Sequence, residues 1–201
     1  DLMYLKSGTD IRGTAIEKDG KGVDLTDSRL ESIVNSLVVF LKKKLNKEAL
    51  TIAVGYDSRV SSPRIFDSVT KTLLSLGVST YDCGLASTPS MFMSIINFDL
   101  DASIEITASH LPMEMNGLKF FTRQGGFSGG DTKEILEYAQ NNPYVAEEVS
   151  AEAKRLNSMD KYCENLCNMI KEGVNAENYD KPLDNLKIVV DAGNGVGAFY
   201  A

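Results

Sequence analysis

The chain has 201 residues, enough for one large domain or for one domain and part of another. Hydrophobic residues make up 43%, which excludes a disordered chain. The net charge of −7 has no basic cluster set against it, which argues against nucleic acid and anionic membranes as main partners.

The chain opens with DLMYLKSG, which lacks a signal-peptide pattern, and no later run approaches the ~20 apolar residues of a membrane span. Residues 5–15 read LKSGTDIRGTA, so Gly8 and Gly13 bracket Thr9, Asp10, Ile11 and Arg12. An Arg in such a Gly-bracketed loop suits a phosphate or a carboxylate through bidentate bonds; a solvated surface turn is the plainer reading. Leu25–Leu45 follows, with Thr26 or Asp27 as the cap and apolar residues at Leu30, Ile33, Val34, Leu37, Val38 and Leu41. That spacing predicts a helix, and Lys42, Lys43 and Lys44 in its last turns suit the helix dipole.

Leu50–Gly55 is a buried-strand pattern, followed by the polar loop YDSRVSSP and a helix through Ile65, Val69, Leu73 and Leu76 to Gly77. Val78–Asp82 is the next strand, and the βαβ order predicts a parallel pair. GLASTP then leads into a short apolar helix, Ser90–Asn97, read as core. Thr122–Asp131, TRQGGFSGGD, reads as a flexible surface loop, because its glycines fit neither a Walker A nor a dinucleotide fingerprint. Asp131 or Thr132 is expected to cap a helix ending at Asn141–Asn142–Pro143. Val149–Lys171 predicts a long amphipathic helix, residues 173–185 a linker, and Leu186–Val190 a strand before the Gly-rich turn DAGNGVG. Cys83, Cys163 and Cys167 give no disulfide framework, which fits a reducing, cytoplasmic setting. Cys163 and Cys167 share a helix face and read as packing residues, not metal ligands.

The central stretch, residues 101–121, is DASIEITASHLPMEMNGLKFF. Ala102–Ile106 predicts a strand, Pro112 blocks pairing, and Asn116–Gly117 predicts a turn into a second strand, Leu118–Phe121. The loop between them carries Ser109 beside His110, the only histidine, so the serine is a candidate nucleophile or phosphate carrier.

TASHLPMEMNGLK resembles the phosphoserine loop of the α-D-phosphohexomutases, the phosphoglucomutase and phosphomannomutase superfamily. The family form is T-[AG]-S-H-N-P followed shortly by N-G-[FIL]-K. Thr107, Ala108, Ser109, His110, Pro112, Asn116, Gly117 and Lys119 stand in register, and Leu111 departs from it in place of Asn. SGTDIRG, VGYDSRVSSP, GLASTP and KIVVDAGNGVG resemble further segments of the family in the same order.

The resemblance implies an α/β fold, a three-layer α/β/α domain with a mixed sheet. It places that first domain at residues 1–155, a connecting helix and linker at 156–185, and the truncated start of a second, similar domain at 186–201. It implies reversible phosphoryl transfer between the 1- and 6-positions of a hexose phosphate, through phosphorylated Ser109 and a bisphosphate intermediate. Ser109, His110, Lys119 and Arg12 would be catalytic. Thr9, Asp10, Arg12, Asn116 and Lys119 would bind substrate or phosphate. Mg²⁺ would sit on the Ser109 phosphate, its remaining ligands coming from a loop outside this chain, and hexose 1,6-bisphosphate would be the activator. Asp57 and Arg59 are read as groups that fix a loop, with direct ligand contact as the alternative. Residues 1–201 alone are expected to be inactive. The rival reading is a non-catalytic mutase-like protein that binds sugar phosphate or regulates. A serine hydrolase built on Ser109 and His110 lacks a G-x-S-x-G elbow.

Overall fold

The computed structural model describes residues 1–200. Its frame is one mixed sheet. The strands are β1 (Lys6–Ser7), β2 (Asp10–Thr14), β3 (Thr51–Tyr56), β4 (Ser79–Leu85), β5 (Ala102–Ile106), β6 (Met115–Thr122), β7 (Gly125–Gly126) and β8 (Lys154–Arg155). Their order is β1-β2-β6-β5-β3-β4-β8, with β7 paired to β6. β3 pairs in parallel with β4 and β5, and β4 with β8. β6 runs antiparallel to β5 and β2. The sheet is therefore parallel on one side and antiparallel on the other, and the Ser109 loop leaves β5 at the join.

Helices α1 (Asp27–Leu45), α2 (Ser62–Ser75) and α4 (Gly129–Asn141) pack on one face, and α3 (Thr88–Phe98) and α5 (Ser158–Val174) on the other. The larger core lies beneath α1, α2 and α4, where Ile11, Ile33, Leu37, Leu41, Ile52, Ile65, Leu73, Ile104 and Ile106 are fully or almost fully buried. A smaller core of Ala53, Cys83, Ala86, Met91 and Leu100 lies beneath α3. The three-layer mixed α/β expectation agrees with this arrangement. α1 starts where the sequence places it, with the Thr26 side chain accepting from the Arg29 N–H.

Local corrections follow from pairing and capping. Asn116–Gly117 is not a turn: both lie inside β6, opposite Gly13 and Arg12. The Gly-bracketed segment around Arg12 is not a loop but strand β2, because it pairs with β6. α4 begins earlier than expected, because Ser128 and Asp131 form a reciprocal capping box. α5 begins later, because residues 154–155 pair with β4 and Asn157 caps the helix. The expected strand over 186–190 does not form: it has no pairing partner among the described residues, and Val189 is 94% exposed.

Candidate active site

Ser109 sits at the exposed tip of the loop leaving β5, with φ +59°. A side chain in the left-handed region needs surrounding structure to hold it there. Part of that structure is internal. The Thr107 N–H bonds the Gly117 carbonyl at 3.0 Å, the Ser109 N–H bonds Thr107 Oγ1 at 2.9 Å, and the Leu111 N–H bonds the Ala108 carbonyl at 3.1 Å. Ser109 Oγ lies 3.5 Å from His110 Nδ1, a long contact that leaves the hydroxyl free to meet another group.

The main anchor is Arg59, just beyond β3. Its Nη1 donates to the carbonyls of Pro112 (2.7 Å) and Met115 (3.1 Å). Its Nη2 donates to those of Ser109 (2.9 Å) and Leu111 (2.7 Å). Asp57 orients the guanidinium through Nε at 3.2 Å and is itself held by the Ser62 hydroxyl at 2.8 Å. One planar fork thus binds four carbonyls of the loop, which a lysine could not do.

The second anchor comes from β2. Arg12 Nη1 donates to the Ala108 carbonyl at 3.0 Å, next to the serine. Arg12 Nη2 and Lys119 Nζ both bond Asp10 Oδ2, at 2.8 and 2.6 Å. Gly117 makes this approach possible: a Cβ there would stand 2.4 Å from the Ile11 carbonyl oxygen and 3.0 Å from Arg12 Cγ. Arg12, Asp10 and Lys119 are therefore one ion-paired row at the base of the loop.

A cleft of about 600 Å³ borders the loop. Its walls include Asp57, Arg59, Ser109 and Leu111, Ser87 and Thr88 at the start of α3, and the turn Gly193–Gly197. Arg12, Lys119 and His110 are not among its lining residues. Thr9, at the β1–β2 turn, bonds Asp10 Oδ1 at 3.3 Å and accepts from Thr132 of α4.

Asn116 corrects an expectation. It is fully buried, and its amide donates to the Ser61 and Ser62 hydroxyls at 2.9 and 3.0 Å while its Oδ1 accepts from the Gly117 N–H. Both amide hydrogens are used and no part of the side chain reaches the surface. Its place is behind the site, joining β6 to the Ser62–Asp57–Arg59 chain.

Residues 5–145 match the family model described as "Phosphoglucomutase/phosphomannomutase, alpha/beta/alpha domain I". The chain belongs to this family. It is 28% identical over 188 residues to a phosphomannomutase of Vibrio cholerae, covering 92% of this chain and 37% of that protein. It is 32% identical over 193 residues to a phosphoglucosamine mutase of Alkaliphilus oremlandii, covering 94% of this chain and 40% of the relative. The open-form crystal structure of the Paramecium phosphoglucomutase parafusin superposes with a TM-score of 0.70 at 18% identity, over 98% of this chain and 40% of that one. At that identity the superposition speaks for the fold. The chain spans about two fifths of the length of these relatives.

In this mutase-family chain, sequence reasoning missed Glu105. It lies in the middle of β5, is 1% exposed, and its Oε2 has no hydrogen-bond partner. Burial pushes its carboxyl well above the ordinary range; the Asp57 carboxylate adds to the rise, and Lys119 offsets part of it. The available signal was one charged residue inside the otherwise uncharged run ASIEI.

The residues near Ser109 do not by themselves complete a metal site. Asp10 and Asp57 are occupied by cations, and no group of three or more His, Cys, Asp or Glu residues suited to a metal exists among the described residues.

Proposed function

We propose that the whole protein is a phosphohexomutase that moves a phosphoryl group reversibly between the 1- and 6-positions of a hexose phosphate, with Ser109 as carrier and a hexose 1,6-bisphosphate as activator. The observation that carries this reading is the loop itself. An exposed serine is held in the left-handed region, while two arginines fix the carbonyls around it. Phosphoryl transfer needs positioning and charge neutralisation more than new covalent chemistry. Fixed carbonyls keep the Ser109 backbone in one conformation, from which Oγ would be presented for in-line transfer. Arg12 and Lys119 share a single carboxylate, and with Arg12 bonded to the carbonyl next to the serine this leaves excess positive charge near a dianionic phosphate on Ser109. In this reading Lys119 and His110 assist proton movement at the sugar hydroxyl as Ser109 gives up or regains its phosphoryl group.

Mg²⁺ would neutralise phosphate charge when bound, with its protein ligands supplied from outside this chain. The reading includes a cytoplasmic setting; no described helix is long and apolar enough to cross a membrane. Residues 1–201 alone are expected not to turn over. The test is intact-mass analysis of the whole protein after incubation with Mg²⁺ and glucose 1,6-bisphosphate. One phosphate is expected, mapped to Ser109 and absent from Ser109→Ala. A wild type that takes no phosphate there refutes the proposal.

A further inference from the structure

The two anchors of the Ser109 loop have one neighbour in common. Strand residues alternate between faces, so Ser103 and Glu105 of β5 both point towards α3, and the Ser103 hydroxyl bonds the Met91 carbonyl of that helix. Glu105 is the direct cross-strand partner of Lys119 on β6. On its other side it faces Gly55 of β3, where a Cβ would stand 3.2 Å from Glu105 Oε2. Glycine at this position leaves room first for Met91 and Ala86, whose side-chain atoms would stand 2.5 and 2.8 Å from that Cβ, and also for the buried carboxyl.

The charged groups facing Glu105 are few. β6 presents Lys119, whose ammonium is already bonded to Asp10. The end of β3 presents Asp57, already bonded to Arg59. β4 presents Cys83, whose thiol burial pushes up to about 11 and so keeps uncharged. α3, TPSMFMSIINF, presents no titratable side chain. One member of each loop anchor thus borders a carboxyl that has no partner of its own.

We propose that Glu105 is a positioning residue of the Ser109 loop, which stays anchored only while Glu105 is an uncharged acid. Ionised, Glu105 competes with Asp10 for Lys119, and the Arg12–Asp10–Lys119 row loosens from the Ala108 carbonyl. The same charge repels Asp57 and disturbs the seat of Arg59. Charges interact strongly in a buried setting, and Glu105 borders one member of each anchor, so one ionisation reaches both. The inference rests on the phosphohexomutase reading for what the loop does, but not for what holds the loop in place.

The experiment separates the two. Hydrogen exchange of the Thr107, Ser109, Leu111 and Met115 amides is followed in the whole protein from about pH 5.5 to pH 9, corrected for intrinsic exchange. Wild type is expected to lose protection with rising pH, by up to about ten-fold per unit above the Glu105 transition. Glu105→Gln cannot ionise and is expected to give a flat profile. Glu105→Met carries the same expectation if the amide N–H of Gln disturbs folding. The rate of Ser109 phosphorylation by a labelled hexose 1,6-bisphosphate is expected to fall in parallel, in wild type alone. A flat wild-type profile, or the same pH response in both variants, overturns the inference. Loss of protection confined to wild type, with no label on Ser109 at any pH, supports the inference and refutes the mutase reading.

Discussion

Arg59→Ala removes the fork that holds four loop carbonyls. The bonds to Ser109 and Pro112 are solvent-exposed, so water replaces them at little cost. Those to Leu111 and Met115 are partly buried, and Asp57 is left without its guanidinium. Each of these two bonds to a charged donor, partly screened by solvent, is worth roughly 1–2 kcal/mol, so opening the loop should become easier by about 2–4 kcal/mol. That corresponds to roughly thirty- to several-hundred-fold faster exchange of the loop amides in the whole protein. Phosphorylation of Ser109 should slow by a similar factor, because the serine no longer rests in one geometry. Arg59→Lys keeps the charge but not the fork, and should recover less than half of either loss. A protected loop and unchanged phosphorylation in Arg59→Ala would show that the hydrogen bonds do not position the serine.

Asn116→Ala leaves the Ser61 and Ser62 hydroxyls and the Gly117 N–H short of a partner in a fully buried place, and should cost about 2–3 kcal/mol in urea unfolding of the whole protein. Gly117→Ala forces a methyl to within 2.4 Å of the Ile11 carbonyl oxygen. It should cost about 1–3 kcal/mol by the same measurement and displace Arg12 from the loop. Asp101 bonds Lys47 and both the N–H and hydroxyl of Thr51. Burial alone would raise its carboxyl, but these donors override it and hold it below the usual range. The stabilisation is complete above the unfolded value of about 3.9 and is lost as pH falls through the lower folded value. Asp101→Asn should therefore flatten the acid limb of a Tm-against-pH curve.

The parallel half of the sheet was legible because LTIAVG and the helix after it carry period and punctuation strong enough to name both elements. The antiparallel half was not. Asn-Gly is a strong local turn signal, yet residues 116–117 became strand because β2 supplies the pairing partner, a long-range contact that no local pattern announces. The same pairing turned a Gly-bracketed loop into β2 and buried Asn116, which the family motif alone had assigned to the ligand. Ser109 and its loop were legible because the motif is long and its spacing fixed. Glu105 was not, because a single acid in an apolar run reads as noise until its neighbours are known.

Leu111 is one place where this chain departs from the family pattern, and the structure narrows what that departure can cost. The residue contributes its backbone to the loop: its N–H bonds the Ala108 carbonyl, and its carbonyl accepts from Arg59. Neither bond depends on the side chain, so loop shape should survive any residue here that tolerates the conformation. The half-buried Leu111 side chain lines the cleft with Val60 and Met113, so this wall is apolar where the family has an amide. If that amide meets a phosphate oxygen during transfer, its absence costs roughly 1–3 kcal/mol at that step, about a ten- to hundredfold effect. Leu111→Asn in the whole protein should therefore raise the rate of Ser109 phosphorylation by up to that factor while leaving loop exchange within about two-fold of wild type. An unchanged rate would show that the wall's polarity does not matter to the transfer. Wild type should be active already, because Ser109, Arg12 and Lys119 do not depend on residue 111. A wild type that holds no phosphate on Ser109 and turns over no hexose phosphate would replace the mutase reading with a non-catalytic, sugar-phosphate-binding one.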